Sequence, residues 1–355
     1  MREAEAVEAI FKEASLEMEK LALNVSKDHG ACHFSESYKR VYLSLTYSLI
    51  FMLGMPLNGA VLWLSWRQTK PWSCATIYLV NLMVADILYM LSLPLLIITY
   101  AMGDTWLFGE MLCRLVRFLF YANLYSSILL LTCISIHRFL GVCHPLSSLS
   151  YRSHRLAWQA AAATWTLVVL QLLPTLVFSH TDYVNGQMIC YDTASPENFD
   201  HFFAYSMVLT LSGFVFPSLV ILGCYSLMVK SLTNPVKQLP TTGHTARAKS
   251  IRTILLVCSL FTLCFVPFHI ARSFYLFICF LKSQDCQLLS AASMAYKMCR
   301  PLVSVSSCLN PVLYFLSQGS NRTQLLQKLR QNKAGEHPTG VEGTPRGRQI
   351  QVLPG

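Results

Sequence analysis

Seven predominantly apolar runs, each about long enough to cross a lipid bilayer, set what this chain can fold into. They extend from about Val41 to Trp66, Thr76 to Tyr100, Cys113 to Cys143, Leu156 to Phe178, Phe202 to Met228, Ile251 to Phe280 and Leu288 to Leu316. A hydrocarbon core of ~30 Å requires about 20 apolar helical residues per crossing, a repeat length that a soluble core has no reason to impose. Composition agrees: 54% of the 355 residues are hydrophobic and 13% charged, against roughly 25% charged in soluble domains. In hydrocarbon every backbone polar group needs an internal partner, so such runs become helices. The expected fold is an all-α membrane protein, a seven-transmembrane helix bundle.

The charges between the runs orient the bundle. Arg67, Lys70, Arg152, Arg155, Lys230, Lys237, Arg247, Lys249, Arg252, Arg322, Lys328, Arg330 and Lys333 fall on one side. The opposite loops hold Asp104, Glu110, Asp182, Asp192, Glu197, Asp200 and Asp285. Lys and Arg mark the cytoplasmic face, which puts the N-terminus outside the cell in a multi-pass plasma-membrane protein. Residues 1–39 form an extracellular segment and residues 40–317 the membrane domain. Residues 318–333, with Leu325, Leu326, Lys328, Leu329 and Arg330, read as a short amphipathic helix on the membrane surface. Residues 334–355 read as a disordered cytoplasmic tail. Residues 1–38 lack a leading apolar core, so the first span is expected to act as its own insertion signal.

Most of the thirteen cysteines lie within the runs, where Cys is a small hydrophobe. Cys32, Cys113, Cys190 and Cys286 lie outside the runs or at their edges, facing an oxidising space, and suit two disulfides. Asn24-Val25-Ser26 is a glycosylation sequon on the same side, at Asn24. No phosphate-cradling Gly loop, metal-spaced Cys/His cluster or Ser/His/Asp set is present in a credible context, so no enzyme and no cofactor is expected. The basic residues are not interleaved with exposed aromatics, which argues against a nucleic-acid polymer as partner.

Charges within a bilayer are costly and usually functional. Asp86 lies in mid-span. It is either a carboxylate bonded to polar neighbours or a site for a small cation such as sodium, acting allosterically, with oxygens from Asn123, Ser127, Ser306 or Asn310. More unusual are the cations near the outer ends of three spans. Residues three or four apart share a helix face, which pairs Arg117 with Tyr121, His269 with Arg272, and Lys297 with Arg300. Uncompensated, these cations would repel one another and lose hydration. Asp192 is the natural internal counter-ion, but one acid cannot offset four fixed cations. An anionic ligand of several charges can, and Arg forks suit phosphate oxygens. Phe120, Tyr121 and Tyr275 could border a nucleobase or simply pack.

The spans also carry, in order, Asn58, Asp86, Arg138 in His137-Arg138-Phe139, Trp165, Pro217, Phe261-x-x-Cys264-x-x-Pro267, and Asn310-Pro311-Val312-Leu313-Tyr314. This set resembles the rhodopsin-like (class A) G-protein-coupled receptors over about residues 40–330. That likeness implies that Arg138, Phe261, Pro267, Asn310, Pro311 and Tyr314 serve activation and coupling to a heterotrimeric G protein. One departure is His137, which stands where the family has an acid and implies raised basal signalling. Further stretches are similar to the metabotropic purinoceptors, receptors for extracellular nucleotides: Cys113 to Tyr121, Phe268-His269-Ile270-Ala271-Arg272, Tyr296-Lys297-Met298-Cys299-Arg300-Pro301 and Trp106-Leu107-Phe108-Gly109.

That resemblance implies that His269, Arg272, Lys297 and Arg300 hold ligand phosphates, and that signalling runs through phospholipase C and calcium. It also implies disulfides Cys113–Cys190 and Cys32–Cys286, although the four cysteines alone leave other pairings open. Glu197-Asn198-Phe199-Asp200-His201 resembles a motif of pyrimidine-responsive members and favours a uridine nucleotide. Two rivals remain: the same fold recognising another acidic ligand, a carboxylate or lysophospholipid, and an anion transporter or channel. The missing internal repeat weakens the second.

Overall fold

The computed structural model describes residues 38–67, 72–144, 148, 153–184, 186–233, 243–282 and 285–317. The expected surface helix at 318–333, the tail at 334–355, Cys32 and Asn24 lie outside the described residues. Within these residues seven long helical segments follow one another. The first is Tyr38–Arg67. The second is built from Cys74–Met90 and Leu93–Ala101. Next come the third, Gly109–Cys143, and the fourth, His154–Phe178. The fifth joins Phe199–Thr210 to Phe216–Thr233, and the sixth joins Gly243–Leu260 to Val266–Phe280. The seventh is Cys286–Ser317.

Six of these segments are long and apolar enough to cross a membrane by length and composition. The seventh is more polar because Lys297, Arg300 and Asn310 interrupt it, together with several serines. It packs against the first, second and sixth spans and closes the bundle.

The third span, 35 residues long, is the axis. It packs against the second, fourth, fifth and sixth, and from Phe120 to Ile128 every side chain is buried. The sidedness is the reverse of a soluble protein. Leu45, Leu49, Met52, Val177, Leu219, Leu222 and Ile270 face outward, while Asn58, Asp86, Asn123, Ser127, Ser307 and Asn310 are buried. Inside a bilayer such polar groups must satisfy one another. Asn58 donates to the carbonyls of Gly54 and Ser307, each at 2.9 Å, which ties the first span to the seventh. The Trp165 indole donates to Asn81 at 3.0 Å, which ties the fourth to the second.

Local sequence explains where the helices start and bend. Ser73 and Ser153 cap the second and fourth spans, each accepting an amide N–H at 3.2 Å. In the second span Ser92 donates to the Tyr89 carbonyl at 2.6 Å, and the helix breaks there before Pro94. Among the described residues two π-turns occur, Leu211–Val215 in the fifth span and Phe261–Phe265 in the sixth, and they meet where Phe214 stacks on Phe261. Each precedes a proline, Pro217 or Pro267. Proline removes an amide donor and its ring crowds the carbonyl four residues back, so the wider turn absorbs the clash.

One element departs from an all-helical expectation. Between the fourth and fifth spans the chain forms an antiparallel hairpin, β1 His180–Val184 and β2 Gln187–Tyr191, with Thr181 opposite Cys190. Its turn contains Gly186 at φ 78°, a left-handed conformation that glycine adopts without strain.

Candidate functional site

The hairpin covers one end of the bundle because it is bonded there. A disulfide joins Cys113, near the start of the third span, to Cys190 on β2, with Cα atoms 5.7 Å apart. This is the first of the two expected bridges. In the second, Cys286 is disulfide-bonded; Cys32 is outside the described residues. The loop after the second span adds a further tie, the amide of Trp106 donating to Met188 at 2.8 Å. Arg117 lies one turn inward of Cys113. It is buried and donates through Nη2 to the Cys190 carbonyl at 2.7 Å.

Just past β2, Asp192 reaches into the bundle and becomes a hub. It forms an ion pair with Arg300 and accepts the hydroxyls of Tyr296 and Tyr121, the latter at 3.3 Å. The two tyrosine hydroxyls are 3.3 Å apart, and Arg300 also donates to Tyr296 at 2.9 Å. Arg272 lies on the far side of Tyr121, its guanidinium 4.8 Å from the ring centroid, and donates to the Ser206 hydroxyl at 3.4 Å. The third, fifth, sixth and seventh spans and the hairpin thus meet around three arginines.

These arginines are 3–9% exposed, yet each keeps a buried guanidinium nitrogen without a partner: Nε of Arg117, Nη1 of Arg272 and Nε of Arg300. Among the described residues their one ion pair with a carboxylate is Arg300–Asp192. Burying a polar group without a hydrogen bond costs roughly 1–3 kcal/mol, and more when it is charged. The arrangement is therefore poorly compensated by the protein alone and suited to several anionic oxygens.

His269 lies deeper than the helical pairing with Arg272 implies. Its ring stacks on Phe214 at 4.0 Å and 14° and lies 5.9 Å from the Tyr125 ring. Both ring nitrogens are buried without a partner, and the buried Tyr125 hydroxyl has the Arg272 guanidinium beside it. Phe214 in turn stacks on Phe261 at 6.2 Å and 11°, a column joining the site to both π-turns. Phe120 is buried edge-on to Tyr89, Tyr121 and Phe268, and Tyr275 stacks on Tyr296 at 5.6 Å. Lys297 is half-buried one helical turn from Arg300. Tyr296 and Ser206 were not singled out from the sequence. Tyr296 stands four residues before Arg300, on its helix face, a signal that was available; Ser206 had none.

A second polar cluster surrounds Asp86, which is fully buried. Asn123 and Asn310 donate their amides to its two oxygens at 2.8 and 2.9 Å. Ser306 does not join them: its hydroxyl turns back to the Val303 carbonyl at 2.6 Å. The neighbouring Ser307 takes that place, donating to Asn123 at 3.3 Å. Adjacent residues both lie within one turn of Asn310, so spacing alone could not separate them. The Ser127 hydroxyl and the Asn310 side-chain oxygen are buried without partners.

At the other end of the bundle, Arg138 is half-buried near the end of the third span, and the His137 ring lies edge-on to Tyr78 at 6.5 Å. Pro311 and Tyr314 are buried in the last turns of the seventh span.

Comparison with known proteins agrees with this architecture. The family described as 7 transmembrane receptor (rhodopsin family) matches residues 57–314. Purinoceptor 2 of Mus musculus is 47% identical over 290 residues, 81% of this chain and 76% of the relative. Purinoceptor 3 of Gallus gallus is 39% identical over 318 residues, 88% of this chain and 97% of the relative. Purinoceptor 4 of Xenopus laevis is 42% identical over 317 residues, and the chain spans only 59% of that relative's length.

Proposed function

The chain belongs to the metabotropic purinoceptors, within the rhodopsin family of seven-transmembrane receptors, and from that premise we propose that it is a cell-surface receptor for an extracellular nucleotide. The supporting observation is the group of three buried arginines, Arg117, Arg272 and Arg300, each with an unpartnered nitrogen, whose one ion pair with a carboxylate among the described residues is Arg300–Asp192. A nucleotide polyphosphate supplies the missing charge and acceptors. It enters from the hairpin end, which is extracellular in this reading, and its phosphates dock on Arg117, Arg272, Arg300 and Lys297, with His269 below and aromatics such as Tyr275 at the rim.

Binding favours a state in which the far end of the sixth span swings outward about the Phe261–Phe265 turn and Pro267. The opened face, with Arg138, then engages a heterotrimeric G protein that signals through phospholipase C and calcium. A ligand shifts this balance only by binding one state more tightly. Arg272, His269 and Phe261 all ride on the moving span, which supplies that difference. The Glu197–His201 stretch supports uridine as the base. The test is a calcium assay on cells expressing the chain, with purified ADP, ATP, UDP and UTP. Responses led by the uridine nucleotides are expected; no response to any of the four, at normal surface expression, overturns the proposal.

A sodium ion beside Asp86 is a second proposal for the same receptor. The donor set suits a hard cation: the buried carboxylate, the Ser127 hydroxyl and the Asn310 oxygen. Asp86→Asn is expected to abolish any sodium dependence of nucleotide potency. Sodium dependence that survives the substitution places the ion elsewhere.

A further inference from the structure

We infer that the corner where Arg67 of the first span and Arg155 of the fourth flank Trp72 is a binding site for the headgroup of a phosphoinositide, an anionic lipid of the cytoplasmic leaflet. The corner lies at the opposite end of the bundle from the hairpin, the end that the proposed orientation places in the cytoplasm. It is independent of any nucleotide at the hairpin end.

Four of the six tryptophans gather there: Trp63 and Trp66 on the last turns of the first span, Trp72 just before the second, and Trp158 on the second turn of the fourth. An ordinary interfacial belt spreads its indoles over both faces of a bundle. Here the other two are Trp165, bonded to Asn81, and Trp106, buried beside the hairpin. The third, fifth, sixth and seventh spans contain no tryptophan. Trp72 makes the corner continuous. Its indole donates to the Ser65 carbonyl at 3.1 Å, and its ring stacks on Trp158 at 6.2 Å and 28°. It thus bridges the first span to the fourth across the start of the second, where Cys74 to Leu79 are all buried.

The charge at this corner is uncompensated. Arg67 follows Trp63 by one helical turn, its guanidinium 4.8 Å from the ring centroid. Arg155 precedes Trp158 by three residues and shares its helix face. Both arginines are exposed, and among the described residues neither has a carboxylate partner. The neighbouring sequence supplies no acid: there is no Asp or Glu from Tyr38 to Ala85 or from Phe139 to Thr181. The anionic lipids of a cytoplasmic leaflet attract such cations. Arg forks take phosphate oxygens two at a time. A phosphoinositide carries phosphates on its ring beyond the one in its phosphodiester, enough for two arginines at once, whereas phosphatidylserine adds a single carboxylate beside an amine.

The indoles complete the fit. Trp63 and Trp158 are 57% and 49% exposed, so each offers a ring face to the glycerol and upper acyl chain, at the depth where indoles settle in a bilayer. Held by both arginines, the headgroup ties the first span to the fourth and reinforces the Trp72 bridge. It leaves the third, fifth and sixth spans, which carry Arg138 and the two π-turns, outside the tie.

The test is binding of a fluorescent phosphatidylinositol bisphosphate to the purified full chain in phosphatidylcholine nanodiscs. Saturable binding and a raised thermal midpoint are expected. Arg67→Gln and Arg155→Gln should each weaken binding about fivefold, the attraction of one basic side chain to an anionic leaflet. Neither should move the midpoint without phosphoinositide, since neither arginine has a carboxylate partner. Lys230→Gln combined with Arg252→Gln removes cations from the fifth and sixth spans and should leave affinity within about twofold. A loss in that pair equal to the loss in the arginine variants makes binding a property of the whole basic face and overturns the site, as does phosphatidylserine bound equally tightly. A soluble inositol phosphate that competes as well as the lipid overturns the lipid as occupant. Wild type alone serves if the variants express poorly: phosphoinositide with brominated chains should quench tryptophan fluorescence more than brominated phosphatidylcholine does, because four of the six indoles are at this corner. Equal quenching overturns the proposal.

Discussion

Replacing Arg272 by alanine is expected to lower nucleotide potency well over tenfold with surface expression unchanged. Arg272 is 3% exposed, holds Ser206 through one nitrogen and has another free. Each charge-assisted contact with a phosphate is worth about 1.5–3 kcal/mol, so losing one costs about tenfold and losing two considerably more. Among the described residues Arg272 has no carboxylate partner, so its removal strands no buried negative charge and relieves repulsion among the cations. That makes the variant a clean probe of ligand contact. Arg300→Ala should lose as much potency but also express less well, because Asp192 is then left buried without its ion pair. Dose–response curves, normalised to surface copies of an epitope-tagged receptor, separate the two effects. Full potency of both variants would remove the arginines from the phosphate site.

Asp192→Ala carries the second large effect, and here it falls on the ligand-free protein. Asp192 accepts from Arg300, Tyr296 and Tyr121 and joins the segment after the hairpin to the third and seventh spans. Breaking a buried ion pair by removing one partner costs about 3–5 kcal/mol. The Asp192 side chain retains 13% exposure, so the lower end of that range applies. The expected result is a clear drop in the thermal midpoint of the purified receptor, largely recovered by saturating UTP or ATP, whose phosphates replace the lost carboxylate. Asp192→Asn, which keeps an acceptor but not the charge, should fall between. A midpoint unchanged without nucleotide would mean that Asp192 does not neutralise Arg300.

Much of this protein can be read from residue spacing because a bilayer permits few solutions. All seven helices contain the apolar runs that announce them, and the disulfide at Cys113–Cys190 is present. The convergence of Arg117, Arg272 and Arg300 follows from helical periodicity plus the cost of burying charge. What spacing could not supply lies where the backbone leaves the regular helix or where two neighbours compete. The π-turns at Leu211–Val215 and Phe261–Phe265 add residues to a turn, and they carry Phe214 beneath His269. That column was not legible, because a 3.6-residue period assumes no interruption. Ser306 and Ser307 both satisfy helical spacing to Asn310, and packing chose the second. The hairpin at His180–Tyr191 was missed for another reason. Its residues were read as loop, and what secures it on the bundle is a disulfide and a backbone bond from Trp106.

The claim that buried arginines at the hairpin end exist to hold a nucleotide's phosphates is tested most directly by binding to the purified receptor. Titration with UTP, and with uridine alone, compares the same base with and without its phosphates. Saturable binding of UTP, competed by inorganic triphosphate, weakened by added salt and nearly lost in Arg272→Ala, is the predicted result, with uridine binding far more weakly. Uridine bound as tightly as UTP, or UTP binding unaffected by Arg272→Ala, would contradict it.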